Sequence, residues 1–195
     1  MADRSTHRGI FGGSFDPVHF GHLIVARAAA QLLGLDVVHL IPARHQPFKP
    51  DGHGAAADDR MAMLRAAVDG EPLFVADDRE IRRQGTSYTI DTVRELAGEY
   101  PNDRLSLLVG VDAALEFDDW REAAAIRGLA RVVVLTRPGI ELPIDSAVAR
   151  DLIEVPPVPI SATEVRRRVA AGETIRELVP PPVAHYIEQR GLYIS

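Results

Sequence analysis

Apolar segments of strand length alternate with segments of helical periodicity along most of this chain. The pattern predicts strands at 8–12, 37–41, 73–76, 105–109 and 132–135. It also predicts a helix that ends near Leu33, a helix that begins near Asp59 and a helix over 89–98. Strands that alternate with helices are typical of a mostly parallel sheet with helices on both faces, so we predict a doubly wound α/β fold.

The chain becomes rich in proline after Pro138, and the strand pattern ends there. Ser161 and Glu164 have the spacing of a capping box, which predicts a helix that begins near Ser161. A last helix is expected to follow 180–182 and to end before Gly191. We therefore predict one domain over residues 1–195, in which 161–195 is a small helical C-terminal part.

Composition limits the class of protein. A chain of 195 residues with 46% hydrophobic content suits one globular domain with a substantial core. The absence of cysteine excludes disulfides and thiolate zinc sites. We see neither a stretch long enough to span a bilayer nor the apolar core of a secretory signal, so we expect a cytoplasmic protein.

Charge limits the partners. The formal net charge of −6 argues against broad electrostatic binding to nucleic acid, and no membrane partner is expected. Positive groups for an anionic substrate must therefore be concentrated locally. Lys49 is the one lysine among the 22 basic side chains. An ammonium and a guanidinium differ as phosphate ligands, so Lys49 is a candidate, although an exposed loop lysine with no function explains it equally well.

Residues 12–22 read G-G-S-F-D-P-V-H-F-G-H and form the most informative stretch of the chain. We expect Gly12 and Gly13 to let the backbone turn sharply after a buried strand and to approach a ligand. Asp16 and Pro17 are a helix-start signal, because Asp caps free amides and Pro tolerates the first helical position. The stretch therefore predicts a strand, a tight turn and a helix start.

His19 and His22 are three positions apart, so they share one face in the first turns of that helix. A helix N-terminus carries partial positive charge and unpaired N–H donors, and two imidazoles at that end suit anionic oxygens. A zinc pair is disfavoured because the chain has no cysteine and shows no third ligand at metal spacing. We therefore interpret the pair as part of a phosphate-binding site.

Two motifs together carry a family resemblance. H-x-G-H at His19–His22, after G-G-S-F-D-P, resembles the first signature of the nucleotidyltransferase superfamily, which shares its fold with the class I aminoacyl-tRNA synthetase catalytic domain. I-S-A-T-E-V-R at 160–166 is similar to the second signature, I-S-S-T-x-x-R, from which Ala162 departs. Alone, the second motif would describe a capped surface helix. Two signatures in the right order favour the superfamily and its Rossmann-like nucleotidyltransferase fold.

The resemblance implies roles at ATP. His19 and His22 would contact the phosphates and stabilise charge at the transferred phosphorus. Ser161 and Thr163 would meet phosphate, and Arg166 would hold the departing pyrophosphate. The family chemistry needs no general base, because the attacking phosphate is already ionised. Further ATP contacts are implied for Gly12, Gly13, Ser14, Phe15, Gly110, Asp112 and Arg137.

Three further segments resemble the bacterial nicotinate-nucleotide adenylyltransferase family. Residues 42–49 are similar to P-x-x-x-P-P-H-K and keep Lys49, whereas Gln46 and Phe48 differ from the pattern. Residues 87–92 resemble S-Y-T-x-x-T, where backbone amides around the threonine hold the pyridine carboxylate; the same residues would also form an ordinary helix start capped by Ser87 or Thr89.

The third segment is G-x-D-[AS] at 110–113, with a downstream tryptophan. In that family the aspartate, here Asp112, meets a nucleotide ribose, and the tryptophan, here Trp120, stacks on the pyridine. A single Trp is more often part of the core, but charged neighbours make a half-exposed Trp120 plausible. The residues implied to bind the mononucleotide are Asp16, Tyr88, Thr89 and Trp120. The tail over 171–193 is also similar to the family's, and we assign it to packing.

The resemblance implies transfer of the adenylyl group of ATP to nicotinate mononucleotide, which forms nicotinate adenine dinucleotide and pyrophosphate in NAD biosynthesis. Mg²⁺ would be carried by the ATP phosphates. Phosphopantetheine and nicotinamide mononucleotide are alternative acceptors, and a noncatalytic nucleotide-binding module is the alternative from another class. A dehydrogenase is disfavoured, because the glycines do not form G-x-G-x-x-G. Self-association is left open.

Overall fold

The computed structural model describes residues 5–44, 54–139 and 151–194. These residues form one sheet of six strands in the order β3-β2-β1-β4-β5-β6, and every adjacent pair is parallel. The predicted doubly wound, mostly parallel sheet is therefore confirmed. The strands are β1 (His7–Gly13), β2 (Val37–Pro42), β3 (Phe74–Ala76), β4 (Arg104–Gly110), β5 (Arg131–Thr136) and β6 (Leu152–Glu154).

Helices follow most of the strands and also form the C-terminal part. Gly34, at a φ of 63°, ends the first helix, as the sequence predicts. None of the helices in the described ranges is long and apolar enough to cross a membrane. The helices are α1 (Phe20–Leu33), α2 (Ala57–Val68), α3 (Arg79–Arg82), α4 (Thr89–Glu99), α5 (Val111–Leu115), α6 (Ala123–Leu129), α7 (Ala162–Ala170) and α8 (Pro181–Arg190), with a 3-10 helix at Phe117–Asp119.

Two hydrophobic clusters cover the two faces of the sheet. Successive side chains of a strand point to opposite faces, and along β4 Leu108 joins one cluster whereas Leu107 and Val109 join the other. The first cluster contains buried residues of α1, α2, α7 and α8, and the second contains those of α4, α5 and α6. Burial on both faces explains why the central strands are continuous apolar runs in the sequence.

The strand order reverses next to β1, which lies between β2 and β4. From β1 the chain first builds outward through β2 and β3, and it then returns to add β4, β5 and β6 on the other side. Connections leave such a point in opposite directions and open a crevice beyond the carboxyl ends of the two central strands. The fold therefore places a ligand-binding crevice next to Gly13 and Gly110, the last residues of β1 and β4.

The sequence pattern missed the short elements. They are α3, α5, α6, the 3-10 helix and β6, which have between three and seven residues each. Segments of this length contain few residues in which helical or strand periodicity can show, and of the described strands with three residues only β3, predicted at 73–76, was found from the sequence. Three of the missed elements lie between β4 and β5, where the chain carries Trp120.

Candidate active site

A cavity of about 730 Å³ opens at the carboxyl ends of β1 and β4. It lies at the point where the strand order reverses, as expected for an open parallel sheet. Apolar residues of the central strands form its floor, and polar groups come from the loops and helix starts above them. Seven of the predicted site residues line it: Gly12, Gly13, Tyr88, Thr89, Gly110, Asp112 and Trp120.

The turn after β1 differs from the prediction. Gly12 and Gly13 remain in the strand, where they pair with Ile41 and Pro42 of β2. The left-handed backbone conformation falls on Phe15, at a φ of 46°. A Cβ at Gly12 would meet open space, which agrees with its place at the cavity wall. The expectation that the two glycines make the turn is therefore wrong, but Gly12 does leave the strand end open to a ligand.

Asp16 does not cap the following helix. Helix α1 begins at Phe20, with His19 as its N-cap residue. Asp16 is 4% exposed, and its carboxylate accepts hydrogen bonds from the backbone N–H groups of Gly54 and Ala55. The prediction of an Asp16 cap is wrong because these tertiary contacts occupy the carboxylate. Its predicted contact with the mononucleotide stays a prediction.

His19 and His22 stack on each other, with ring centroids 3.8 Å apart and planes inclined by 26°. This confirms that the two rings share one face. Nδ1 of His22 accepts a hydrogen bond from the backbone N–H of His19 at 3.3 Å. The ring of Phe15 lies 4.8 Å from that of His22, so Phe15 and His19 hold His22 between them.

Both histidines are neutral at pH 7 in the free protein. Burial lowers the pKa of His19 to about 4. Burial and the positive charge that His19 would carry lower the pKa of His22 to about 3. With Nδ1 as acceptor, neutral His22 carries its proton on Nε2 and can donate it to an anion. Nδ1 of His19 is buried and has no hydrogen-bond partner among the described residues.

The second signature forms the start of α7. Ser161 is the N-cap residue, and its Oγ accepts a hydrogen bond from the backbone N–H of Glu164 at 3.2 Å, so the predicted cap is confirmed. The Glu164 carboxylate binds Arg167 and Arg168 instead of returning to Ser161. These two arginines are therefore engaged in ion pairs on the outer side of α7.

The starts of α1 and α7 lie against each other. A Cβ at Gly21, in the first turn of α1, would lie 3.3 Å from the carbonyl oxygen of Ile160. Arg166 Nη1 donates a hydrogen bond to the Asp16 carbonyl at 2.7 Å, across 150 positions of sequence. Arg166 Nη2 also contacts Oγ1 of Thr163 at 3.4 Å. The structure thus brings together the two signatures that the sequence places near opposite ends of the chain.

Helix α4 begins at the cavity without a side-chain cap. Tyr88 is its N-cap residue in an extended conformation, and the Tyr88 side chain makes no cap hydrogen bond. The expectation that Ser87 or Thr89 caps this helix is therefore wrong. The guanidinium of Arg121 lies 4.7 Å from the centre of the Tyr88 ring. A helix start of this kind has amides that are available to a carboxylate.

The segment after β4 carries the other predicted contacts of the cavity. Asp112 lies exposed in the first turn of α5. Trp120 follows the 3-10 helix and is half-buried, as predicted, with its ring 5.1 Å from that of Phe117. Its Nε1 is buried without a hydrogen-bond partner in the part of the chain that the structure describes. Trp120 thus presents part of an aromatic surface to the cavity.

Some predicted residues lie elsewhere. Arg137 is exposed after β5 and is not part of the cavity wall. Phe15 is 1% exposed in the core and is not part of the cavity wall. Lys49, with Gln46 and Phe48, lies outside the described residues. The predicted roles of these residues stay predictions.

Two charged residues near the site were missed. Arg60 is 1% exposed and donates to the carbonyls of Ser14 at 2.6 Å and Ala43 at 2.7 Å, so it holds the loops that leave β1 and β2. Glu80 lines the cavity and accepts a hydrogen bond from Oγ1 of Thr92 at 2.7 Å. Nothing in the sequence distinguishes Arg60 from the many other arginines. For Glu80 the sequence contains only an indirect signal, because its partner Thr92 belongs to the S-Y-T-x-x-T segment.

Comparisons with known proteins agree with this geometry. The profile of the cytidylyltransferase-like family matches residues 10–168. A relative from Marinobacter nauticus is 41% identical over 94% of this chain and 95% of its own. A relative from Geobacillus thermodenitrificans is 39% identical over 95% of this chain and 85% of its own. Both relatives are named "Probable nicotinate-nucleotide adenylyltransferase".

Solved structures show the same fold at low sequence identity. The nicotinic acid mononucleotide adenylyltransferase of Plasmodium falciparum, complexed with APC, has a TM-score of 0.75 and 17% identity over 96% of this chain and 97% of its own. The same protein complexed with NaAD has a TM-score of 0.74 and 18% identity, with the same coverage.

A six-stranded parallel sheet, with the two signature helix starts in contact with each other, defines a Rossmann-like nucleotidyltransferase. The chain belongs to the cytidylyltransferase-like family, and within it to the nicotinate-nucleotide adenylyltransferases.

Proposed function

We propose that the protein transfers the adenylyl group of ATP to nicotinate mononucleotide, which forms nicotinate adenine dinucleotide and pyrophosphate in NAD biosynthesis. The observation that carries this proposal is the contact between the two signature helices. The stacked pair of His19 and His22 and the guanidinium of Arg166 are brought together next to the loop that leaves cavity-lining Gly13.

The reaction is an in-line displacement at the α-phosphorus of ATP. A phosphate oxygen of the mononucleotide forms the new bond to this phosphorus, and the bond to the bridging oxygen breaks. Pyrophosphate leaves with the electron pair. The attacking phosphate is ionised at neutral pH and needs no general base, so the protein contributes position and charge stabilisation.

The phosphate side of the site supplies donors and positive charge. His22 donates from Nε2, and its Nδ1 contact with the His19 backbone fixes the ring orientation. The start of α7 offers backbone donors next to Ser161 and Thr163, and Arg166 holds the departing pyrophosphate. ATP enters as its Mg²⁺ complex, in which the phosphates hold the ion, as is usual for Mg²⁺ at phosphate sites.

The part of the cavity that would bind the mononucleotide suits a pyridine ring with a negatively charged carboxylate. The uncapped start of α4 at Tyr88 and Thr89 suits a carboxylate, and Trp120 offers a ring face for the pyridine. A carboxamide would gain less from this helix start because it carries no negative charge. Asp112, at the start of α5, would bind a ribose hydroxyl.

Pyrophosphate release from MgATP tests the proposal when nicotinate mononucleotide, nicotinamide mononucleotide and phosphopantetheine are offered separately. We expect the highest kcat/KM with nicotinate mononucleotide, a lower value with nicotinamide mononucleotide and no release with phosphopantetheine. A preference for either other acceptor would overturn the assignment. ATP binding without pyrophosphate release with any acceptor would indicate a noncatalytic nucleotide-binding module instead.

A further inference from the structure

Four segments of the chain meet at Asp16. Its buried carboxylate accepts hydrogen bonds from the backbone N–H of Gly54 at 2.7 Å, the N–H of Ala55 at 3.0 Å and the hydroxyl of Tyr193 at 2.8 Å. Its backbone carbonyl accepts the bond from Nη1 of Arg166 at 2.7 Å. We call these five residues the Asp16 cluster.

The members of the Asp16 cluster are closely packed. A Cβ at Gly54 would lie 3.1 Å from Cδ of Arg166 and 3.1 Å from Cε1 of Tyr193. Nη1 of Arg166 also lies 3.9 Å from the Asp16 carboxylate. Tyr193 contacts Asp16, and Asp16 contacts Arg166, so a displacement of Tyr193 can reach the side chain of Arg166 through Asp16.

The backbone on both sides of this contact has a conformation that side chains rarely adopt. Phe15, which precedes Asp16, has a φ of 46°, and Tyr193 has a φ of 63°. Non-glycine residues keep such angles where surrounding contacts determine them. The hydrogen bond between Tyr193 and Asp16 joins these two segments directly.

The Tyr193 hydroxyl remains a donor. Burial and the negative charge of Asp16 raise the pKa of Tyr193, so the hydroxyl stays protonated at any pH at which the protein works. The bond to the Asp16 carboxylate is therefore a charge-assisted one, which is shorter and stronger than a neutral hydrogen bond.

We propose that Tyr193 is a positioning residue for adenylyl transfer. Its hydroxyl fixes Asp16, whose backbone carbonyl in turn orients the guanidinium of Arg166 toward the departing pyrophosphate. The inference rests on the proposed function through the role given there to Arg166. It also gives the C-terminal tail, which the sequence assigned to packing, an effect on turnover.

The test is Tyr193→Phe, which removes the hydroxyl and keeps the ring. We expect kcat to fall about tenfold, because a small misplacement of a positioned group is costly in the transition state. Calorimetry with pyrophosphate should show binding weaker by about fivefold, because Arg166 loses its orientation.

A matched control lies in α8. The Tyr186 hydroxyl donates to the Asp59 carboxylate at 2.9 Å, outside the Asp16 cluster. Tyr186→Phe thus removes the same kind of bond, and we expect a similar fall in Tm with kcat and pyrophosphate affinity within about twofold of the parent. In an Arg166→Ala background, adding Tyr193→Phe should lower kcat by less than about twofold, because the side chain that it positions is gone.

The outcomes separate this inference from the proposed function. If the parent releases pyrophosphate and Tyr193→Phe matches it in kcat and pyrophosphate affinity, Tyr193 has no positioning role and the proposed function stands. An equal loss of kcat with and without Arg166 would also overturn the inference. If the parent releases no pyrophosphate with nicotinate mononucleotide, the proposed function fails. Weaker pyrophosphate binding in Tyr193→Phe but not in Tyr186→Phe would still support the positioning role.

Discussion

At the scale of single residues, His19 and His22 stack closely although both imidazoles can carry a positive charge. Two imidazoles with centroids 3.8 Å apart would repel each other if both were charged, and their lowered pKa values keep them neutral in the free protein. A bound triphosphate would favour the charged forms and raise both pKa values. In the proposed ATP complex, the neutral pair would offer hydrogen-bond donors to the phosphates.

Replacing His22 tests this arrangement. We expect His22→Ala to lower kcat by about 10²-fold or more, as for other donors that stabilise charge in a transition state. His22→Gln keeps an N–H group near the position of Nε2 and should recover about tenfold of that loss. Steady-state pyrophosphate release is the measurement.

The exposed His185 of α8 supplies the control for these variants. His185→Ala should turn over at the parent's rate, and circular dichroism should show the same fold in all three variants. A near-normal kcat in His22→Ala would remove His22 from the mechanism. A His22→Gln variant no better than His22→Ala would mean that the Nε2 donor is not what the reaction uses.

At the scale of the elements, four of the described helices begin at the functional end of the sheet, namely α1, α4, α5 and α7, and α5 is like α4 in that its N-cap residue makes no side-chain cap. Helix α7 has the Ser161 cap and α1 has the His22 ring against its N-cap backbone, whereas α4 has no side-chain cap. Uncapped N–H groups need either water or a ligand. This supports the proposal that the acceptor's carboxylate binds at the start of α4, which lines the same cavity as Trp120.

Trp120→Ala is predicted to change the KM for one substrate and not the KM for the other. Loss of the stacking surface should raise the KM for nicotinate mononucleotide about tenfold, since stacking on an aromatic side chain contributes about 1–3 kcal/mol. The KM for ATP should change by less than about twofold, because the phosphate contacts of α1 and α7 are unaffected. Trp120→Phe should keep most of the affinity.

Leu115, on α5 in the same part of the chain, is 52% exposed and provides the matched control. Leu115→Ala should leave both KM values unchanged. Equal rises of the two KM values in Trp120→Ala would contradict stacking on the pyridine and would indicate that Trp120 supports the cavity as a whole.

The sequence predicted the features that depend on neighbouring residues, and it missed those that depend on contacts between residues far apart in the chain. Long strands and helices were predictable because their hydrophobic period is local, and so were the capped start of α7 and the half-buried Trp120. The start of α1 was placed too early, because partners 38 and 177 positions away occupy Asp16. Tyr193 and Arg60 gave no local signal, since their contacts exist only in the folded chain.

At the scale of the whole molecule, the buried histidines link the active site to the stability of the fold. The pKa of His7 is also lowered, by burial and by the positive charge of Arg104. Histidines that the fold keeps neutral take up protons in the unfolded chain first, so acid favours unfolding. Glu80 acts in the opposite sense, because burial raises its pKa, and its effect begins only above its ordinary value of 4.5.

We predict that the free energy of unfolding falls as the pH is lowered from 7.5 to 5. Above 6.5 the histidines are neutral in both states; below it only the unfolded chain is protonated, down to about 4 for His19 and about 3 for His22. Each such histidine contributes a slope of up to about 1.4 kcal/mol per pH unit. Urea unfolding of His22→Gln should show a shallower fall than the parent. Equal slopes would mean that His22 is not held neutral. In the parent protein, saturating ATP should make the slope shallower, because the bound phosphates would stabilise the protonated rings of His19 and His22.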